Sequence, residues 1–135
     1  MDNLVNKVGE IGQDNLVARL FPRALTFGIK IAAGEGNLKR GTILTRGDDG
    51  TYTVYGKTAT TGEGGDAVTA VVGEPSAILV EDVDASGNAA VAAVGYCSGN
   101  FNPAAVIVAK GYELTAADRD TLRKYDIYFT QMFED

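Results

Sequence analysis

Histidine is absent from this chain, and its absence removes more chemistry than any motif supplies. Without imidazole there is no Ser–His or Cys–His dyad, and zinc is left with carboxylates and one thiol, a poor set for a site normally built from Cys and His. Cys97 is the single cysteine, so no disulfide can form within the chain and the fold relies on packing or assembly. That fits a reducing compartment. No apolar run approaches the roughly 18 residues of a membrane span. The opening MDNLVNKVGE has an acidic second residue and no long apolar block, so it does not read as a secretory signal. The expectation is a soluble protein made in the cytoplasm, with no membrane partner.

Positive charge is scarce after the first third. Residues 1–46 carry seven Lys/Arg against four Asp/Glu, and residues 47–135 carry five against fourteen, for a net charge of −6. A chain this acidic repels nucleic acid unless a basic face is segregated. Lys7, Arg19, Arg23, Lys30, Lys39, Arg40 and Arg46 are dispersed and read as solvated charges. No direct nucleic-acid partner is expected. The 135 residues suit one domain with a real core. Seventeen glycines, well above the usual share, suit many tight turns.

Three stretches imitate functional motifs. Gly36 and Gly41 in GEGNLKRGTIL have the glycine spacing of a phosphate-binding loop, but Thr42 stands where the lysine must be. Ile43, Leu44 and Thr45 then read as a strand, whereas such a loop must open a helix. A turn between strands is the expectation, with Lys39 and Arg40 at most contacts for acidic partners. Asp82-Val83-Asp84-Ala85-Ser86-Gly87 resembles the start of a calcium loop, but its twelfth position is Ala93 rather than a bidentate Glu. It reads as a hairpin turn with Gly87 left-handed. Gly95-Tyr96-Cys97-Ser98-Gly99 has the form of a nucleophile elbow but leads into a loop, GNFNP, and lacks a histidine base. Cys97 reads as a small buried hydrophobe at a strand end. No cofactor, metal or catalytic residue is expected.

Along the chain, residues 1–21 mix apolar side chains with Gly9 and Gly12 and show no clean period, so they read as a mobile arm ending at Pro22. Leu25, Phe27, Ile29 and Ile31 then alternate with Ala24, Thr26, Gly28 and Lys30, the signature of a half-buried strand. TILTR (42–46) and TYTVY (51–55) flank Gly47-Asp48-Asp49-Gly50 as a hairpin. Residues 56–76 are loop-like, with VTAVV (68–72) able to form a short strand. AILVEDV (77–83) and AAVAAVGY (89–96) form a second hairpin, AAVIVA (104–109) a buried strand, and IYF (127–129) a last extended piece. Thr115 and Asp118 resemble a capping box opening a short helix to about Lys124. The class is mainly β with one short C-terminal helix, about seven strands in all.

The order IAAGEGNLKRGTIL, PSAILVEDVDASG, GYCSGNFN and LRKYDIYF resembles the head decoration proteins of lambda-like tailed bacteriophages and prophages, over about residues 22–130. Asp126 stands where the resemblance leads one to expect a glycine. The resemblance implies a small β-barrel or β-tulip-like domain over residues 22–135 with an extended arm over 1–21. It also implies a homotrimer without an active site on the outer capsid surface of the virion, at threefold and quasi-threefold positions. There it clamps the major capsid protein after the shell expands. Strand addition by the arm to a partner's sheet edge makes Leu4, Val5, Val8, Ile11, Leu16, Val17 and Arg19 the candidate capsid-binding residues. The competing expectation is a β-sandwich or barrel module for a carbohydrate or small ligand, weakened by the absence of tryptophan but kept alive by six tyrosines.

Overall fold

A computed structural model describes residues 16–19 and 22–130. Short strands dominate: β1 (Val17–Arg19), β2 (Thr26–Ile31), β3 (Gly36–Leu38), β4 (Ile43–Arg46), β5 (Tyr52–Val54), β6 (Thr58–Thr61), β7 (Val68–Val71) and β8 (Pro75–Leu79). They continue through β9 (Val83–Ala85), β10 (Val91–Tyr96) and β11 (Gly99–Phe101) to helix α1 (Ala116–Arg123) and β12 (Ile127–Phe129). The class is mainly β with one short helix near the C-terminal end, as the sequence suggested.

Five strands pair in a ring, in the order β10-β2-β5-β4-β8. Two of its seams are thin. β2 meets β5 at the single pair Ile31↔Tyr52, and β8 meets β10 at Gly95↔Leu79 and Tyr96↔Ile78. The ring is thus an irregular closure of short sheets and not an evenly laddered barrel. Its interior holds Ile29, Ile31, Leu44, Tyr52, Val54, Ala77 and Leu79. A second cluster of Leu16, Ile43, Tyr55, Ile78, Tyr96, Phe101, Leu122 and Ile127 lies outside the ring, under α1 and the three-stranded sheet β1-β11-β12. Neighbouring residues Ile43 and Leu44, and likewise Ala77 and Ile78, therefore point into different cores. That is why β4 and β8 read as unbroken apolar runs instead of alternating ones.

Several local expectations hold. Alternation begins at Thr26, with Ile29 and Ile31 buried and Gly28 and Lys30 exposed. β4 and β5 form the expected antiparallel hairpin. Thr115 and Asp118 cap α1 reciprocally. At Asp126, where the resemblance leads one to expect a glycine, the backbone is left-handed with φ of 61°, so the turn after the helix forms without one.

Others are corrected. Leu25 is exposed, outside the buried face of β2. GEGNLKRG is not only a turn, because Gly36–Leu38 pairs with Val83–Ala85. The second hairpin is correspondingly split. The Asp82 carboxylate accepts from the Arg40 backbone N–H at 2.8 Å, drawing the chain away from β8 so that Val83–Ala85 joins β3. Gly87 is not left-handed; the turn is closed by Asp84, which accepts from Ser86 N–H at 3.0 Å and from its hydroxyl. AAVIVA makes a single bridge, Thr42↔Ile107, and Ile107 is exposed. Its apolar residues Val106 and Val108 pack on the outer core without a full strand partner.

The boundary expected at residue 21 also moves. Leu16 is 2% exposed, its carbonyl accepts from Asn102 N–H at 2.8 Å, and β1 pairs with β11. An isoleucine-sized side chain buried this fully contributes about 1.5–3 kcal/mol. Residues 16–19 therefore belong to the domain.

Candidate functional site

Of the candidate capsid-binding residues, Leu4, Val5, Val8 and Ile11 lie outside the described residues. Leu16 is spent on the outer core and Val17 packs against it. Val17 and Arg19 pair through their backbones with Phe101 and Asn100, with a register shift between them. Among the described residues, in the order β1-β11-β12, β1 is an outermost strand. The side chain of Leu16 is a core element and not a surface contact.

A second feature was not foreseen. β6 and β7 form a two-stranded ribbon with register Thr58↔Val71, Ala59↔Ala70, Thr60↔Thr69 and Thr61↔Val68. Alternate residues of a strand share a face. Val71 turns toward the outer core, so Val68, Ala70 and Val72 share the opposite face with Ala59, and all four are exposed. Val68 is 59% and Val72 47% accessible. The Thr60 and Thr69 hydroxyls bond across the ribbon at 2.8 Å. A solitary two-stranded ribbon is marginal in water. In VTAVV, Val68, Ala70 and Val72 alternate with Thr69 and Val71, which marks an apolar face without saying whether the chain covers it.

A cleft of 540 Å³ opens beside the ribbon's base, walled by Phe27, Tyr52 and Tyr125 and reached by Gly73, Ser76 and Cys97. Phe27 and Tyr52 meet edge to face with ring centres 6.2 Å apart. Arg46, Glu74 and Asp126 supply its charge. Phe27, Tyr52 and Arg46 also line an adjoining hollow that carries Lys30 and Asp49. Cys97 is half-buried in this cleft, its thiol 3.4 Å from the Leu25 carbonyl, and so is not the fully buried hydrophobe expected. The Ser76 hydroxyl is buried and has no hydrogen-bond partner. These residues come from β2, β5, the turn before β8 and the segment after α1, so no local pattern announces them.

The motif-like residues have internal work. Arg40 donates to the Val80 carbonyl at 2.8 Å and the Tyr96 hydroxyl at 2.9 Å, and Lys39 lies 3.5 Å from Asp82. The acidic contact expected for Lys39 is thus within the chain. Asp82 is held below the usual carboxylate range, chiefly by the Arg40 amide, and Asp84 by the Ser86 hydroxyl.

The most heavily bonded carboxylate is Asp118. It accepts from the hydroxyls of Tyr55, at 2.5 Å, and Tyr112, and from Thr115 N–H at 2.9 Å. Burial alone would raise its pKa, but these donors outweigh burial and bring it below the usual carboxylate range. Burial and the neighbouring carboxylate push the Tyr55 phenol far up, so it remains a donor. The geometry of this cluster ties α1 to the ring.

Among the described residues no group of three or more His, Cys, Asp or Glu side chains is placed to hold a metal, and no helix is long and apolar enough to cross a membrane. The chain matches no protein-family model and no curated protein.

Proposed function

We propose that this chain is a structural decoration protein of a tailed-phage head, binding the outer surface of the expanded shell as trimers and clamping its coat subunits. The observation that carries this reading is β1, an outermost strand among the described residues, entered from an apolar N-terminal segment. An outer strand presents unpaired backbone groups, and strand pairing across subunits uses them. The anchoring of Leu16 beneath that strand fixes the point from which the preceding residues depart. The order of motifs resembling the decoration proteins supports the same reading. A cap spanning several coat subunits resists internal pressure because separating the subunits must also break the cap's contacts.

The test is co-sedimentation with expanded and unexpanded heads of lambda-like phages. Saturable binding to expanded heads, with increased resistance of the heads to disruption, is expected. Failure to bind any expanded head sinks the proposal.

A second reading, a carbohydrate or small-ligand module, draws on the cleft, where three aromatic walls meet Arg46. Saturable retention on a glycan array, lost in Tyr125→Ala, would favour it.

A further inference from the structure

The ring has one covered end and one open end. β2 and β5 run parallel, β4 runs against β5, β8 against β4, and β10 against both β8 and β2. The starts of β2, β5 and β8 and the ends of β4 and β10 therefore gather at one end. Each of the five strands brings a cleft residue there: Phe27 from β2, Tyr52 from β5, Ser76 from β8, Arg46 from β4, and Cys97 directly after β10. At the opposite end, where β2 and β8 finish, Leu38 of β3 and Ala85 of β9 are buried in the interior core. The 540 Å³ cleft is thus the open mouth of the ring. Barrel mouths are a usual place for small-molecule sites, whose volumes run from about 300 to 1,000 Å³.

The charges around this mouth are not answered within it. Arg46, Glu74 and Asp126 make no side-chain hydrogen bond or ion pair among the described residues. Glu74 and Asp126 line the cleft, Lys30 and Asp49 line the adjoining hollow, and Phe27, Tyr52 and Arg46 line both. Passing from cleft to hollow, two carboxylates beside the Tyr125 ring give way to the Phe27–Tyr52 pair with Arg46, and then to Lys30. Asp49 on that side already accepts from the Thr51 N–H at 3.0 Å and from its hydroxyl at 2.7 Å. One side of the aromatic pair is therefore acidic and the other carries two cations against a single bonded carboxylate.

From this arrangement we infer that the mouth binds a small zwitterion, an organic ammonium ion joined to a phosphate, as in the phosphocholine group, free or on a lipid. A quaternary ammonium is held by aromatic faces and by carboxylates. Tyr125, 39% exposed, and the edge-to-face Phe27 and Tyr52 offer the first, and Glu74 and Asp126 the second. The Arg46 guanidinium presents a donor fork matched to phosphate oxygens, with Lys30 beyond it. A purely cationic ligand would meet Arg46 and a purely anionic one would meet Glu74 and Asp126, whereas a zwitterion answers both signs. A neutral sugar answers neither. The Ser76 hydroxyl, buried in the wall of the mouth without a partner, is a further donor that the chain itself does not use. The inference deepens the small-ligand reading of this cleft, rests on it, and is independent of coat binding.

Isothermal titration of the full chain with phosphocholine provides the test, with choline, inorganic phosphate and a panel of neutral glycans alongside. Phosphocholine is expected to saturate with a Kd of about 1 mM or tighter, and choline or phosphate alone to bind at least about tenfold more weakly. Tyr125→Ala and Glu74→Gln should each weaken phosphocholine and choline together, by at least about fivefold. Arg46→Gln should bring phosphocholine to the affinity of choline while leaving choline itself no weaker. A general structural defect would not separate the two ligands in this way. All three positions are exposed, and circular dichroism and melting report whether the fold is intact.

Flotation with phosphatidylcholine vesicles distinguishes the sources. Capture that free phosphocholine competes away supports a lipid headgroup, and binding of free phosphocholine without capture supports a soluble ligand. Absence of saturation at about 10 mM phosphocholine, or an Arg46→Gln variant that weakens choline and phosphocholine alike, overturns the inference. Retention of neutral glycans without phosphocholine binding overturns it while the small-ligand reading stands, and binding of neither ends both. Head binding is read separately: a protein that decorates heads but ignores phosphocholine defeats this inference alone, and a phosphocholine binder that ignores heads defeats the coat-binding proposal alone.

Discussion

The Tyr55 hydroxyl donates to the Asp118 carboxylate at 2.5 Å across 63 residues of sequence, joining the end of β5 to the first turn of α1. Tyr112 donates to the other carboxylate oxygen, and its ring meets that of Tyr55 at 87° with centres 5.6 Å apart. One buried charge thus serves both as the helix cap and as the tie between helix and ring. Asp118→Asn keeps the size of the side chain but weakens bonds made to an ionised acceptor. Hydrogen bonds to charged groups contribute about 1.5–3 kcal/mol each, so a loss of about 2–3 kcal/mol is expected from urea unfolding. A loss below about 0.5 kcal/mol would show that the cluster is not the tie described.

The same carboxylate sets a pH dependence. Its folded pKa is depressed, so the unfolded chain binds its proton at a higher pH than the folded one does. The contribution is fully present above the unfolded value near 3.8 and is lost as pH falls through the folded value. Wild type should therefore lose stability below about pH 4 more steeply than Asp118→Asn, with the two profiles parallel near neutrality. Equal slopes in acid would assign the acid lability to other carboxylates.

Asp126 is the single non-glycine residue with positive φ among those described. Its carbonyl accepts from Gly99 N–H at 3.0 Å, which aligns β12 with β11, so the conformation is imposed by the sheet. A side chain in this region costs about 1–2 kcal/mol, less for Asp than for most residues, and glycine avoids that cost while losing more chain entropy on folding. Asp126→Gly is expected to stabilise by about 0.5–1 kcal/mol. A lowered melting temperature would mean that the aspartate holds the turn through its side chain.

These cases show which information is local. The capping box and the Gly47–Gly50 hairpin are legible because each is complete within a few residues. The left-handed conformation at residue 126 was not read from the sequence, since the resemblance led only to a glycine expected there. Pairing of Gly36–Leu38 with Val83–Ala85 was not legible, since three-residue strands far apart carry no periodic signal and the pairing depends on Asp82 capping Arg40. The exposed face of Val68 was hidden for a different reason: apolar alternation marks a face without saying whether the chain itself covers it. The cleft was beyond reach, being assembled from segments as distant as Phe27 and Tyr125.

Thr45 is 3% exposed, and its hydroxyl has no hydrogen-bond partner. Gly73 lies against it with φ of +72°, and a Cβ there would come within 2.2 Å of the hydroxyl oxygen. Thr45→Val preserves shape and removes an unsatisfied polar atom, so a gain of about 1 kcal/mol is expected. Gly73→Ala should destabilise by more than about 1 kcal/mol through both backbone conformation and contact. A stabilising Gly73→Ala, measured by thermal melting, would contradict this packing.

Leu16 separates the structural part of the N-terminal region from the part proposed to bind coat protein. Because Leu16 sits in the outer core and Val17–Arg19 pairs with β11, a deletion testing the proposed clamp must stop short of them. Deleting residues 2–14 leaves that anchor in place and removes Leu4, Val5, Val8 and Ile11. Leu16→Ala opens a core cavity and should cost about 2–5 kcal/mol. The deletion should instead leave unfolding and oligomeric mass unchanged while abolishing most binding to expanded heads, since the coat would lose the segment that pairs with its edge. The contrast matters because a clamp and a core element fail differently: the first loses its partner while folded, and the second loses its fold. Should the deletion variant decorate heads with undiminished affinity, the N-terminal segment is no clamp, and coat binding must reside on the described domain.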